Sequence, residues 1–222
     1  MPTRDLNGAI VAVIGATGGL GGELVTALAA RGATMIRCNR SGGPTSDLAI
    51  DLRDSRAGDV LVDHATAVYG RLDGVVVAAG IVAFGDLVDT DDVVIEELFL
   101  TNAMGPMWLA KHVAPALQAS QGFFVNLSGV VAETPMPGMA AYSASKAAAA
   151  AATEAVRREF RRMKVAVIDV RPPHTETGLA TRPLAGTAPK MPTGLEPAAV
   201  AARVVAAIEQ GDTAVASTDF TA

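Results

Sequence analysis

The chain has 222 residues, half of them hydrophobic, with a formal net charge of -5 at pH 7 and a single cysteine. That length and apolar content suit one domain over residues 1–222 with one sizeable core, and the acidic balance argues against a surface built for phosphate backbones or anionic lipid. No stretch supplies the ~20 uncharged apolar residues of a membrane span, and the apolar run before the first glycines is too short for a signal peptide, so the expectation is a soluble cytoplasmic protein with neither nucleic acid nor membrane as partner.

Along the chain, short β-branched runs alternate with longer helical stretches. The first strand reads "AIVAVIG", and the helix after it carries Leu20, Leu24 and Leu28 on one face. Strands "TMIRCNR", "LAIDL" and "LDGVVVAAG" follow, then a long helix over 91–119, strand "GFFVNLS", a second long helix over 140–162, and strand "KVAVIDV". These strands are continuously apolar, as strands covered on both faces should be. The pattern predicts an α/β fold: a Rossmann-like, doubly wound parallel sheet in three αβα layers. Residues 172–197 hold half of the prolines, so 172–196 reads as an irregular loop. The last helix, "PAAVAARVVAAIEQG", opens with Pro and closes with Gly, and "TAVAST" offers a short final strand. Cys38 falls in an apolar strand and is expected as a buried or semi-buried thiol, while His64, His112 and His174 lack partners at metal-ligand spacing, so no metal is expected. The alanine run over 147–152 would let a helix approach a sheet or a symmetry-related helix closely, which suggests a homodimer or homotetramer.

Two places carry chemistry. Gly15, Gly18, Gly19 and Gly21 lie between the first strand and the first helix. Glycines there permit a tight turn and let backbone N–H groups and the helix N-terminus approach a pyrophosphate. At the end of the second strand, an acid would favour a free ribose and a base would accommodate a 2′-phosphate. The strand ends in Asn39 and Arg40, so NADP(H) is preferred, with NAD(H) as the alternative; Asp51 comes later and is placed near the adenine ring. The second place is Tyr142 and Lys146, four residues apart on one helix face. A phenol with an ordinary pKa of ~10 exchanges protons near neutrality only if its anion is stabilised, which a nearby ammonium and an oxidised nicotinamide both do.

With "GATGGLG" and "YSASK" in this order and setting, the chain resembles the short-chain dehydrogenase/reductase family from about residue 8 to 177. The resemblance implies an oxidoreductase interconverting a carbonyl and an alcohol. In it Tyr142 is the general acid/base, Lys146 holds the nicotinamide ribose and lowers the Tyr pKa, and Asn102 anchors a water leading to the lysine. It also implies cofactor contacts from Gly15, Thr17, Gly18, Gly19, Leu20, Gly21, Asn39, Arg40, Asp51, Leu52, Ala79, Gly80, Tyr142, Lys146, Pro172, Thr175 and Thr177.

The departures are specific. The family's NNAG stands here as "VAAG", which keeps only Ala79 and Gly80, and Pro173 replaces the glycine after Pro172, removing a backbone donor and fixing φ. The family's serine interval counted back from Tyr142 lands on Gly129, while Ser128 lies one residue earlier. Ser128 serves as the carbonyl-orienting hydroxyl if the strand end bends; otherwise the site has no such serine. Met136, Met139, Leu179, Phe84 and His174 are expected around the substrate, which suits a small apolar ketone, aldehyde or alcohol. The alternative is a catalytically weak NADP(H)-binding sensor or interaction protein that has kept the fold.

Overall fold

A computed structural model describes residues 3–220; residues 1–2 and 221–222, included in the expected domain, lie outside the described residues. Seven strands form one sheet: β1 (Ile10–Ile14), β2 (Thr34–Asn39), β3 (Leu48–Ala49), β4 (Gly74–Val77), β5 (Phe123–Leu127), β6 (Ala166–Val170) and β7 (Ala214–Val215). Every pairing is parallel and the spatial order is β3-β2-β1-β4-β5-β6-β7. The expected doubly wound α/β sheet is therefore present. From β1 the chain winds outward to β2 and β3 and then crosses back to β4, so the order reverses between β1 and β4. The carboxyl ends of those two strands frame the crevice where such sheets bind ligands.

Helices α1 (Gly19–Ala29) and α6 (Pro197–Gln210) cover one face of the sheet. Their Leu24, Leu28, Val204 and Ile208 pack against Val11, Val13, Val125 and Ile168, and each leucine so buried contributes roughly 1.5–3 kcal/mol. Helices α2 (Ala57–Tyr69), α4 (Gly105–Ser120) and α5 (Ala140–Phe160) cover the other, with Leu61, Leu109, Val113 and Phe160 against Ala12, Val75, Phe124 and Val167. Cys38 is buried as expected, and burial pushes its thiol up to about 12.

Three elements differ from the sequence reading. Helix α2 was not anticipated: its buried residues are Ala57, Gly58, Leu61 and Ala65, a stripe with one large side chain and hence a weak periodic signal. It packs closely on α4, since a Cβ on Gly58 would come within 2.5 Å of His112 Cβ, and Asp59 bridges to His112 at 2.6 Å. The long helix expected over 91–119 is α3 (Asp92–Phe99) joined to α4 through a π-helical segment, Leu100–Met104. The strand expected at "LAIDL" shrinks to Leu48–Ala49. Residues 171–196 carry no helix or strand beyond a bridge between Thr175 and Leu195, as the proline density predicts. Among the described residues, no helix is long and apolar enough to cross a membrane.

Candidate active site

Glycines act as rulers around the β1/β4 crevice. A Cβ on Gly15 would lie 2.8 Å from Ala79 N, and one on Gly19 would lie 2.7 Å from Thr177 O. The turn after β1 therefore touches both the segment after β4 and the loop after β6. Gly15 has φ +88, which the tight turn requires and which side chains rarely adopt. Gly18 is the N-cap of α1, with no side-chain cap and no acid in the first turn. The first N–H groups of that helix are thus left for an anion. Thr17 is exposed on the same turn and Leu20 is partly buried one residue into the helix.

Along the crevice, β2 ends at Asn39, whose buried Oδ1 has no hydrogen-bond partner among the described residues. A buried acceptor left unpaired costs roughly 1–3 kcal/mol, so this atom is suited to receive a ligand hydroxyl. Arg40 beside it is exposed and makes no hydrogen bond or ion pair among the described residues. Asp51 is held by Arg53 at 2.6 Å. That hydrogen bond keeps its carboxyl below the usual carboxylate range, with a smaller contribution from Arg40. Leu52 is buried beneath Asp51 and packs against Gly105 at the start of α4. These features fit a dinucleotide whose pyrophosphate meets α1 and whose adenosine ribose meets Asn39 and Arg40.

Tyr142 and Lys146 lie one turn apart on α5, with 9% and 8% of their surface exposed. Lys146 Nζ donates to the Leu127 carbonyl at the end of β5 at 2.9 Å. Burial lowers its ammonium to about 8, an effect that the charge of Asp169 opposes. Burial pushes the Tyr142 phenol up to about 12. In the protein alone, then, desolvation outweighs any help from the stacked ammonium, and the phenol needs a further positive charge before it can work near neutrality.

Asn102 sits in the π-helical segment, a backbone feature concentrated at functional positions. Its Oδ1 accepts from Ile81 N at 3.0 Å, and its Nδ2 donates to Ile81 O at 2.9 Å and to Ser145 Oγ at 3.1 Å. Ser145 Oγ in turn donates to the Tyr142 carbonyl at 2.7 Å. A Cβ on Gly80 would lie 3.2 Å from Asn102 Oδ1 and 3.4 Å from Lys146 Nζ, so Gly80, Asn102 and Lys146 converge at one point. Ser145 was missed in the sequence, although its place three residues after Tyr142 puts it on the same helix face.

Ser128 follows the last residue of β5. The strand end does bend: Ser128 N and Gly129 N share the Val170 carbonyl at 2.9 and 3.3 Å, and Gly129 has φ +85. Yet the Ser128 side chain is fully buried, and its Oγ donates to Asp169 Oδ1 at 2.7 Å. Asp169 also went unremarked in the sequence, where the signal was one carboxylate inside an otherwise apolar strand.

Around Tyr142 the lining is apolar. Phe84, Met139 and Leu179 gather with Val82 and Leu98 against it, whereas Met136 is 45% exposed. His174 pairs with Glu176 at 3.4 Å in the loop after Pro172 and Pro173. Thr175 Oγ1 donates to Pro173 O at 2.9 Å, and Thr177 Oγ1 accepts from Leu179 N at 3.3 Å.

A family model described as short chain dehydrogenase matches residues 9–185. The chain belongs to the short-chain dehydrogenase family. Among relatives, it is 30% identical over 193 residues to dehydrogenase/reductase SDR family member 7B from Bos taurus, covering 78% of this chain and 59% of that one. It is 31% identical over 174 residues to 11-beta-hydroxysteroid dehydrogenase A from Sesamum indicum, covering 71% and 50%. The chain thus spans between half and three fifths of the length of these relatives. Among solved structures, it resembles a short chain dehydrogenase from Burkholderia cenocepacia in complex with NADP, with a TM-score of 0.84, 26% identity, and 99% and 90% of the two chains covered.

Proposed function

We propose that this short-chain dehydrogenase is an NADP(H)-dependent oxidoreductase that interconverts a small apolar ketone or aldehyde and the corresponding alcohol. The observation that carries the reading is the convergence of Asn102, Lys146 and Gly80, beside the glycine turn of α1, at the point where the strand order reverses. When bound, the reduced nicotinamide supplies the hydride for the carbonyl carbon. Tyr142 holds the proton that the carbonyl oxygen takes up, and in the reverse direction it accepts the hydroxyl proton. Lys146 adds positive charge one helical turn away, and Asn102 fixes the Ile81 backbone and Ser145 around that pair. The orphaned Asn39 Oδ1 and the unpartnered Arg40 support the preference for NADP(H), with the ribose hydroxyl on the amide and the 2′-phosphate facing the guanidinium. Phe84, Met139 and Leu179 support an apolar substrate, under a loop at 172–196. Met107 is exposed and lines a shallow surface pocket with Ala149 and Ala152 of α5, and this face supports a homodimer or homotetramer, to be measured by light scattering.

The test is loss of NADPH absorbance with a panel of ketones and aldehydes, run beside Tyr142→Phe. Turnover that falls by about 10²–10⁴ in the variant is the expected result; turnover that survives it would remove Tyr142 from the chemistry. One observation favours a second reading, that of a cofactor-binding sensor with weak turnover. The Ser128 hydroxyl is bonded to Asp169, and Gly129 offers none. Tight NADPH binding without turnover across the panel is the outcome of that reading.

A further inference from the structure

The irregular loop after β6 is fastened in two places. At its base, Leu195 N donates to His174 O at 2.8 Å, Glu176 N donates to Leu195 O at 3.0 Å, and Gly194 N donates to the Glu176 carboxylate at 2.7 Å. At its far end, Leu184 N donates to Val82 O at 2.7 Å and Phe84 N donates to Ala185 O at 3.0 Å, so the loop pairs through its backbone with the segment that leaves β4. Gly186 follows with φ +74, and a Cβ there would fall 1.8 Å from the Phe84 carbonyl oxygen. No side chain fits that gap, and few would adopt that φ. On the other side, Gly85 N donates to Gly138 O at 2.8 Å, one residue before Met139. The backbone around Phe84 is thus held from both directions.

Phe84 lines the space beside Tyr142 with Ala83, Leu98 and Met139, and that space measures about 190 Å³ including its open mouth. Clefts that take drug-sized ligands run to about 300–1,000 Å³. Leu179, Ala180 and Ala185 of the loop pack into the same cluster as Phe84 and Tyr142. We propose that Gly186 is a specificity-determining position: by letting the loop lie against the Phe84 carbonyl it fixes Phe84 as a wall of this pocket and confines the substrate to slim apolar ketones or aldehydes. A side chain at 186 has to push the two backbones apart, which breaks the Leu184 and Phe84 hydrogen bonds and frees the wall. Exclusion then depends on a backbone pairing, which a bulky substrate cannot turn aside as it could a side-chain rotamer.

That the pocket receives the substrate rests on the function proposed above, but the test uses the full chain without cofactor or turnover, so the two fail separately. The Phe84 and Leu184 amides should share one protection against deuterium exchange, since both open only when the loop lifts. In Gly186→Ala that protection should fall by about tenfold or more, while the amides of β5 keep theirs. Pocket size is read by NMR from the methyl group of Met139, one of eight methionines, assigned by its loss in Met139→Leu. Butanone should shift the wild-type signal at a concentration about tenfold below that needed for camphor, and Gly186→Ala should narrow the gap to about twofold. A gap unchanged in Gly186→Ala overturns the proposal, as do Phe84 and Leu184 amides that exchange as freely as in an unfolded chain. If the variant does not fold, the unmutated protein decides: camphor binding as well as butanone overturns the proposal. Size discrimination as expected, with neither ketone reduced when NADPH is added, supports this inference and counts against the proposed function.

Discussion

Replacing Lys146 with methionine should change how the stability of this fold depends on pH, and the size of the change follows from burial. An ordinary lysine loses its proton at 10.5, whereas Lys146 in the folded protein does so at about 8 because it is desolvated. Between those values the unfolded chain binds a proton that the folded chain has released, so wild-type stability rises with pH through that window. Integrated from pH 8 to 10, the contribution is about 2 kcal/mol in favour of the folded state. Lys146→Met has no such group. Its stability curve, measured by urea unfolding at steps between pH 7 and 10, should therefore fall behind the wild-type curve by about 2 kcal/mol across the window. Tyr142 acts in the opposite sense and in both proteins: with its phenol raised from 10.0 to about 12, the stability it contributes is intact below pH 10 and is lost above it. Taking the difference between the two curves cancels Tyr142 and the carboxylates alike. Parallel curves from pH 8 to 10 would mean that Lys146 is not desolvated as its position under α5 demands, and the reasoning about its charge would fall with them.

Arg40→Ala should remove the preference for NADPH over NADH, a loss of about 1–2 kcal/mol or roughly 5–30-fold in relative affinity by titration calorimetry, because an exposed guanidinium with no hydrogen bond or ion pair among the described residues is what a 2′-phosphate would meet there; equal affinities in the unmutated protein would refute the assignment. Gly129→Ala meets no atom within 4 Å of the new Cβ, so its cost is the φ of +85 alone. That is about 1–2 kcal/mol, or a melting temperature lowered by about 2–8 °C in calorimetry. Asn102→Ala strands the Ile81 N–H and carbonyl and removes a donor from Ser145, which should lower unfolding stability by about 2–4 kcal/mol in urea.

What the sequence could disclose follows from how local each cause is. Strands β1, β4, β5 and β6 are covered on both faces, so their burial is written as unbroken apolar runs, and α5 follows from alanine and a one-turn Tyr–Lys repeat. Helix α2 hides because its buried stripe is mostly Ala and Gly, chosen to fit against His112 of α4 rather than for hydrophobic area. The π-helical segment is less legible still, since the widened turn at Asn102 is matched by hydrogen bonds to Ile81 and Ser145, far away in sequence. Ser128 shows the limit most sharply. Counting residues back from Tyr142 identifies the offset, but which way the hydroxyl leaves depends on where pairing with β6 stops. Here it runs one residue beyond the strand proper, with Ser128 N and Gly129 N sharing the Val170 carbonyl, and the side chain stays on the face under α5. The usable signal lay elsewhere, in the aspartate of "KVAVIDV". A carboxylate in the middle of an apolar strand can be buried only if donors and opposite charge reach it. Here the neighbouring strand β5 runs on into Ser128, whose hydroxyl supplies the donor, and β6 itself runs on into Arg171, whose guanidinium supplies the opposite charge.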